Sequence, residues 1–294
     1  MHKVGTASAS LIALLFAPLA NAASAPETYR LSSPWNVDYA QDSCALKGSF
    51  DKDGSKIAFE LRQFSQFDTF NVTVASSKFP GSLSNVKVRF VPDTKPHLVF
   101  QMAPLRFSDG RVGLTWIDSF LPLPLQPQTT SERISRRDAN ERVTTAIELS
   151  GSLKPSVLIA TGPMSAPMGA VRKCIDDMVT KWGFDAAAQR GLSKSVKPID
   201  QGNWAQVLQD NYPRNMLAKN KGAINKGAIV RFRLMVGADG RTSSCHTAIP
   251  SQEPVFENAA CDVMMRVSRF EPALDASGKP IASYFVTRAV FDPD

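Results

Sequence analysis

Four cysteines carried behind an export leader constrain this chain more than any other feature. Met1 to Ala22 has a short basic start at Lys3, an apolar run from Leu11 to Ala20 and the small-x-small ending Ala20-Asn21-Ala22. That pattern reads as a secretory signal peptide, residues 1–22, cut between Ala22 and Ala23. The alternative is an uncleaved membrane anchor. A spanning helix needs about 20 mostly apolar residues, and the strongly apolar run here is half as long. Cleavage leaves Cys44, Cys174, Cys245 and Cys261 in an oxidising compartment, where an even set reads as two disulfides with three possible pairings.

The organisation of the chain selects among those pairings. At 294 residues it is long enough for about two domains, taking roughly 150 residues for each. The first block, residues 26–182, is a series of short β-rich runs: Lys56–Phe64, Phe70–Ser76, Val86–Val91, His97–Met102, Val112–Phe120, Val143–Leu149 and Ser156–Ala160. Turn residues such as Asp53-Gly54 and Asp109-Gly110 separate them, which predicts an antiparallel sandwich or barrel. One helix closes the block, with Met168, Val171, Ile175, Met178 and Trp182 on one face, Ser165 as its cap and Pro167 in its first turn. Cys174 borders that stripe and faces the sheet. A bond from it to Cys44 would close a loop worth about 4–5 kcal/mol in the chain-entropy account. Ser131–Arg142 is dense in both charges and reads as a solvated loop. Residues 183–202 are polar and broken by Gly and Pro, a linker.

The second block, residues 203–294, begins with a helical approach through Trp204 to Leu208. Val230, Phe232, Leu234 and Val236 then alternate with Arg231 and Arg233, a half-buried strand. Gly237 to Gly240 turns the chain into a partner strand, Thr242–Ile249. A helix follows, with Phe256, Ala260, Val263, Val267 and Phe270 inward, Ser251 as cap and Pro254 in the first turn. Ser283–Phe291 makes the last strand. Cys245 and Cys261 sit close enough to pair within this ββαβ block, closing a short loop worth roughly 3 kcal/mol. Pairing within each block is the simplest solution, so the expected class is α+β in two domains.

Tyr212-Pro213 with Ala218 after it, the strand holding Gly227, Val230, Phe232 and Val236, then Asp239-Gly240-Arg241, Ala259-Ala260, Arg269 to Ala273 and Gly278-Lys279-Pro280 occur in a fixed order. With its final β-run, this stretch from Tyr212 to Phe291 resembles the carboxy-terminal domain of TonB-family proteins. The resemblance implies a periplasmic protein of a Gram-negative bacterium with a protein or peptide partner, such as an outer-membrane transporter. It also implies that the last strand receives the partner, which marks Tyr212, Pro213, Ser283, Phe285, Val286, Thr287, Ala289 and Phe291. The family's long Pro-rich spacer is missing, and a folded block stands in its place. Independently of any family, a three-stranded sheet covered by one helix leaves edges to which an extended peptide can add.

Other chemistries lack raw material. His97 and His246 are the only histidines after the leader, and neither lies in a nucleophile motif. They are too sparse for a zinc site. Asp51 to Gly54 resembles the start of a calcium loop but lacks the later ligands. Asp176 and Asp177 point in different directions on their helix. No phosphate-cradling glycine loop occurs. The reading is therefore a non-enzyme without cofactor or metal. A net charge of +7, or +6 once Lys3 is lost (33 basic against 27 acidic), is spread without a dominant block and does not suggest nucleic acid. Lys219, Lys221, Lys226, Arg231 and Arg233 read as a solvated face, or as a contact for an anionic partner or membrane surface. Two other functions stay open: an energy transducer held by the uncleaved leader, and an enzyme with a site near His97.

Overall fold

Residues 25–121, 129–213, 228–248 and 254–291 are described by a computed structural model, which is strand-rich with few helices. The leader, with Leu11–Ala20, and Ala218, Lys219, Lys221, Lys226, Gly227 and Ser251 lie outside the described residues.

The period-two runs of the first block form one curled sheet. Its strands are β1 Glu27–Leu31, β2 Asn36–Tyr39, β3 Cys44–Lys52, β4 Ser55–Gln63, β5 Thr69–Ser76, β6 Lys87–Val91, β7 Phe100–Arg106, β8 Val112–Ser119, β9 Ala146–Ser150 and β10 Val157–Ala160. They run in the order β6-β9-β10-β1-β3-β4-β5-β8-β7, with β2 also paired to β3. All pairs are antiparallel except β1 with β10. The far ends approach one another where Val88 of β6 bridges His97, just before β7, so the sheet is a half-barrel. Leu46, Phe50, Ile57, Phe59, Leu61, Val72, Val74, Leu114 and Trp116 line one face, as alternation requires. Helix α2, Ser165–Lys181, buries Met168, Val171, Cys174, Ile175 and Met178 against that face. Cys44–Cys174 is bonded. Ser165 does not cap α2; Met164 holds the cap position without a side-chain bond.

Ser131–Arg142 is not a loop. It lies in helix α1, Thr130–Val143, which starts with a complete capping box: Thr129 accepts from the Glu132 amide, and the Glu132 carboxylate accepts from the Thr129 amide. The helix has no apolar stripe to betray it. Ion pairs hold it instead, Arg133 and Arg137 to buried Asp68, and buried Glu141 to Arg172.

The polar segment 183–202 is also structured. Asp185 caps the short helix α3, Ala186–Arg190, and β11, Lys197–Ile199, pairs antiparallel with β14, Arg269–Glu271. Helix α4, Gln201–Asp210, buries Trp204 and Leu208.

In the last part, β12 Ala228–Val236, β13 Thr242–Thr247 and β17 Ser283–Phe291 form an antiparallel sheet in the order β13-β12-β17. Between β13 and β17 come helix α5, Pro254–Val267, then β14 and the short pair β15 Ala273–Leu274 and β16 Pro280–Ile281. The turn from β12 to β13 needs glycine at 240: φ is +75°, and an added Cβ would stand 2.0 Å from the Phe270 carbonyl oxygen. Cys245–Cys261 is bonded. Phe256, Ala260, Val263 and Met264 of α5 pack on Val230, Phe232, Leu234, Val236, Ala289 and Phe291.

The expected half-bare sheet is covered over part of its second face as well. Tyr284 is part of the core beneath the half-barrel, and Met235 and Val286 pack against that core. Arg233 is buried rather than solvated: it pairs with buried Asp42 and its guanidinium lies 3.8 Å from the Trp182 ring centroid. Arg231 stacks 4.0 Å over Phe64. Long arginine stems on an alternating strand suit either water or an aromatic surface, and here a neighbouring surface is available. The two disulfides fit an extracytoplasmic protein, and among the described residues no helix is long and apolar enough to cross a membrane.

Candidate functional site

Strand β17 pairs along all nine of its residues with β12 and lies at the margin of its sheet. The direction of its free groups follows from two hydrogen bonds. The Ala248 amide donates to the Arg231 carbonyl, so Arg231 directs its backbone toward β13. Arg288, opposite Arg231, therefore directs its N–H and C=O away from β12, together with Tyr284, Val286 and Val290. The Val290 carbonyl agrees, since it accepts from Gln209 Nε2 on α4 at 3.2 Å.

Both ends of this margin are occupied. Gln189 of α3 donates to the Ala282 carbonyl and accepts from the Ser283 hydroxyl. Gln209 holds the other end. Among the described residues no strand pairs with the outer side of the middle, where Phe285, Val286, Thr287 and Arg288 are half-buried.

The side chains singled out from sequence do not form one exposed patch. Ser283, Ala289 and Phe291 are buried; Phe285 packs edge-on to Trp204 and beside Phe270; Val286 faces the half-barrel core. Tyr212 stands edge-on to Phe256 and Phe291, with half-buried Pro213 next to it. They belong to the packing behind the margin. The outward backbone belongs to the alternate residues Tyr284, Val286, Arg288 and Val290, a parity that strand periodicity offers only once the partner strand is known.

Tyr284 fixes β17 on the half-barrel. Its hydroxyl accepts from the Gln66 amide at 3.2 Å, its ring meets Trp182 and Phe184, and burial pushes its phenol up to about 12. An acid raised in the folded state contributes stability that is complete below its unfolded value, about 10, and lost as pH rises through the folded one. Unfolding free energy is expected to fall by about 2–3 kcal/mol between roughly pH 10 and pH 12, and Tyr284→Phe should flatten that fall. Urea titrations across this range check it; an equal fall in Tyr284→Phe overturns it.

Beside Tyr284 a cavity of about 70 Å³ lies between the β4–β5 turn, α1, α2 and α3. Its charges are matched: Asp68 with Arg133 and Arg137, Glu141 with Arg172, Asp176 with Arg190. Burial raises the Glu141 carboxyl, against the pull of Arg172. This is a joint among elements.

His97 sits at the seam of the curl. Its Nε2 is 3.0 Å from buried Asp118, whose carboxylate also accepts from Trp116 Nε1 and the Ser119 amide, and its ring lies 4.5 Å from that of Phe90. Among the described residues Nδ1 has no hydrogen-bond partner, and no hydroxyl or thiol is hydrogen-bonded to this imidazole. The arrangement packs the seam of the curl. Among the described residues no three His, Cys, Asp or Glu side chains gather as metal ligands. No family model, no curated protein and no solved structure matches the chain.

Proposed function

We propose that this is a periplasmic, non-catalytic binding protein that takes an extended segment of another polypeptide onto the outer margin of β17. The observation that supports it is the outward-directed backbone of Val286 and Arg288, which has one strand neighbour among the described residues and lies between the two glutamine-held ends. Backbone groups of an added strand would supply affinity, and the flanking glutamines would limit the length engaged. The resemblance of Tyr212 to Phe291 to the TonB carboxy-terminal domain favours the same strand, with an outer-membrane transporter as one such partner. Two disulfides and the export leader favour the periplasm.

The test is Val286→Pro. Its N–H points away from β12, so proline removes an outward donor while sparing the β12 ladder. A photo-crosslinking residue at Thr287, in cells that export the protein, should give a discrete protein adduct. Val286→Pro should reduce that adduct at least about tenfold, as expected for one lost hydrogen bond plus the ring's obstruction, with the folded state retained by circular dichroism. An adduct of unchanged yield in the proline variant would count against strand addition.

A further inference from the structure

The face shared by β12 and β17 changes character along its length. At one end Arg233, Met235, Tyr284 and Val286 lie against the half-barrel. Next comes Arg231, directly opposite Arg288. Beyond them Ile229 stands directly opposite Val290, 61% and 47% exposed. The sheet thus overhangs its support, and the overhang carries a bare aliphatic pair followed by two arginines.

Like charges directly opposite on a sheet are destabilising, so such a pair stands out. Neither guanidinium makes an ion pair or a side-chain hydrogen bond among the described residues; Arg231 only stacks on Phe64. The neighbouring Arg62 adds positive charge but is spent on Glu60 and Ser43. Burial, with Arg288 and Arg62 nearby, brings Arg231 down to about 10, so an incoming anion would relieve an existing repulsion.

We propose that this overhang docks on the surface of an anionic lipid bilayer, with Ile229 and Val290 entering the headgroup boundary and Arg231 and Arg288 meeting lipid phosphates. Two residues along a strand span about 7 Å, so the guanidiniums trail the aliphatic tips by that distance. Interfacial apolar groups enter a bilayer by about 5–10 Å, which leaves the arginines at headgroup level. A free phosphate would use the arginines alone, whereas a bilayer also covers the aliphatic pair. This inference uses a face of the sheet rather than its margin and does not depend on strand addition.

Sedimentation of the full mature chain with vesicles tests it. Vesicles rich in phosphatidylglycerol should retain the protein, those of phosphatidylcholine alone should not, and salt should weaken retention. Binding should fall about fivefold with Arg288→Gln, which leaves the Arg231–Phe64 stack in place, and roughly thirtyfold with Arg231→Gln and Arg288→Gln together. Ile229→Ser with Val290→Ser, both at exposed positions, should weaken binding to the same vesicles without altering the melting temperature. Equal retention on neutral vesicles, undiminished retention of the arginine variants, or binding of poly-glutamate without binding of vesicles would each overturn the proposal.

Discussion

Replacing Cys44 and Cys174 with serine is expected to cost about 4–5 kcal/mol, enough to remove much of the stability of an ordinary domain. The bond spans 130 residues, so in the chain-entropy account it restricts the unfolded chain far more than Cys245–Cys261, which spans 16 and is worth roughly 3 kcal/mol. It also fastens α2, the helix that fills the curl, to β3. Both sulfurs are buried, so the serine hydroxyls add a desolvation cost. Urea unfolding of the exported protein, comparing each serine pair with the parent, measures the difference. A loss below about 1 kcal/mol for Cys44/Cys174 would show that the half-barrel is held shut without the crosslink.

The second large effect concerns Asp42 and Arg233. Asp42→Ala is expected to destabilise by about 3–5 kcal/mol, because it strands a guanidinium that has almost no contact with water. Burial opposes charge on each partner, raising the carboxyl of Asp42 and lowering the guanidinium of Arg233, so each depends on the other to remain ionised. Replacing both, Asp42→Ala with Arg233→Met, should recover a large part of the loss, since the methionine still covers Trp182 and no charge is left unpaired. A double-mutant cycle in urea decides it. If the double variant costs the sum of the two single ones, the pair is not coupled, and the sheet is held on the half-barrel by Tyr284 and its apolar neighbours alone.

The fold is legible in the amino-acid sequence where a residue's environment is set by its own strand or helix. The alternation from Val230 to Val236 and the stripe from Met168 to Met178 report which side chains turn inward, and both stripes are buried. The pairings Cys44–Cys174 and Cys245–Cys261 followed from placing each cysteine on its element. Helix α1 escaped because its stabilisation is not apolar, although Thr129 and Glu132 held the capping signal in plain view. Strands β1 and β2 escaped because five and four residues carry too little period to stand out. The candidate site was half legible: the last strand was identifiable, but its outward backbone was not, because that depends on which residue of β12 stands opposite Arg288.

Local chemistry alone thus determined the inward faces of the main strands and helices, since each depends on residues a few positions apart, and it placed each cysteine on the element from which its crosslink is made. Only the folded chain decided that Arg233 would meet Asp42, 191 positions away, that Tyr284 would join the half-barrel core and that Ile229, Arg231, Arg288 and Val290 would project beyond it. An arginine on an alternating strand carries the same local signal whether it faces water, an aromatic ring or a buried carboxylate. What separates those outcomes is the surface brought against it.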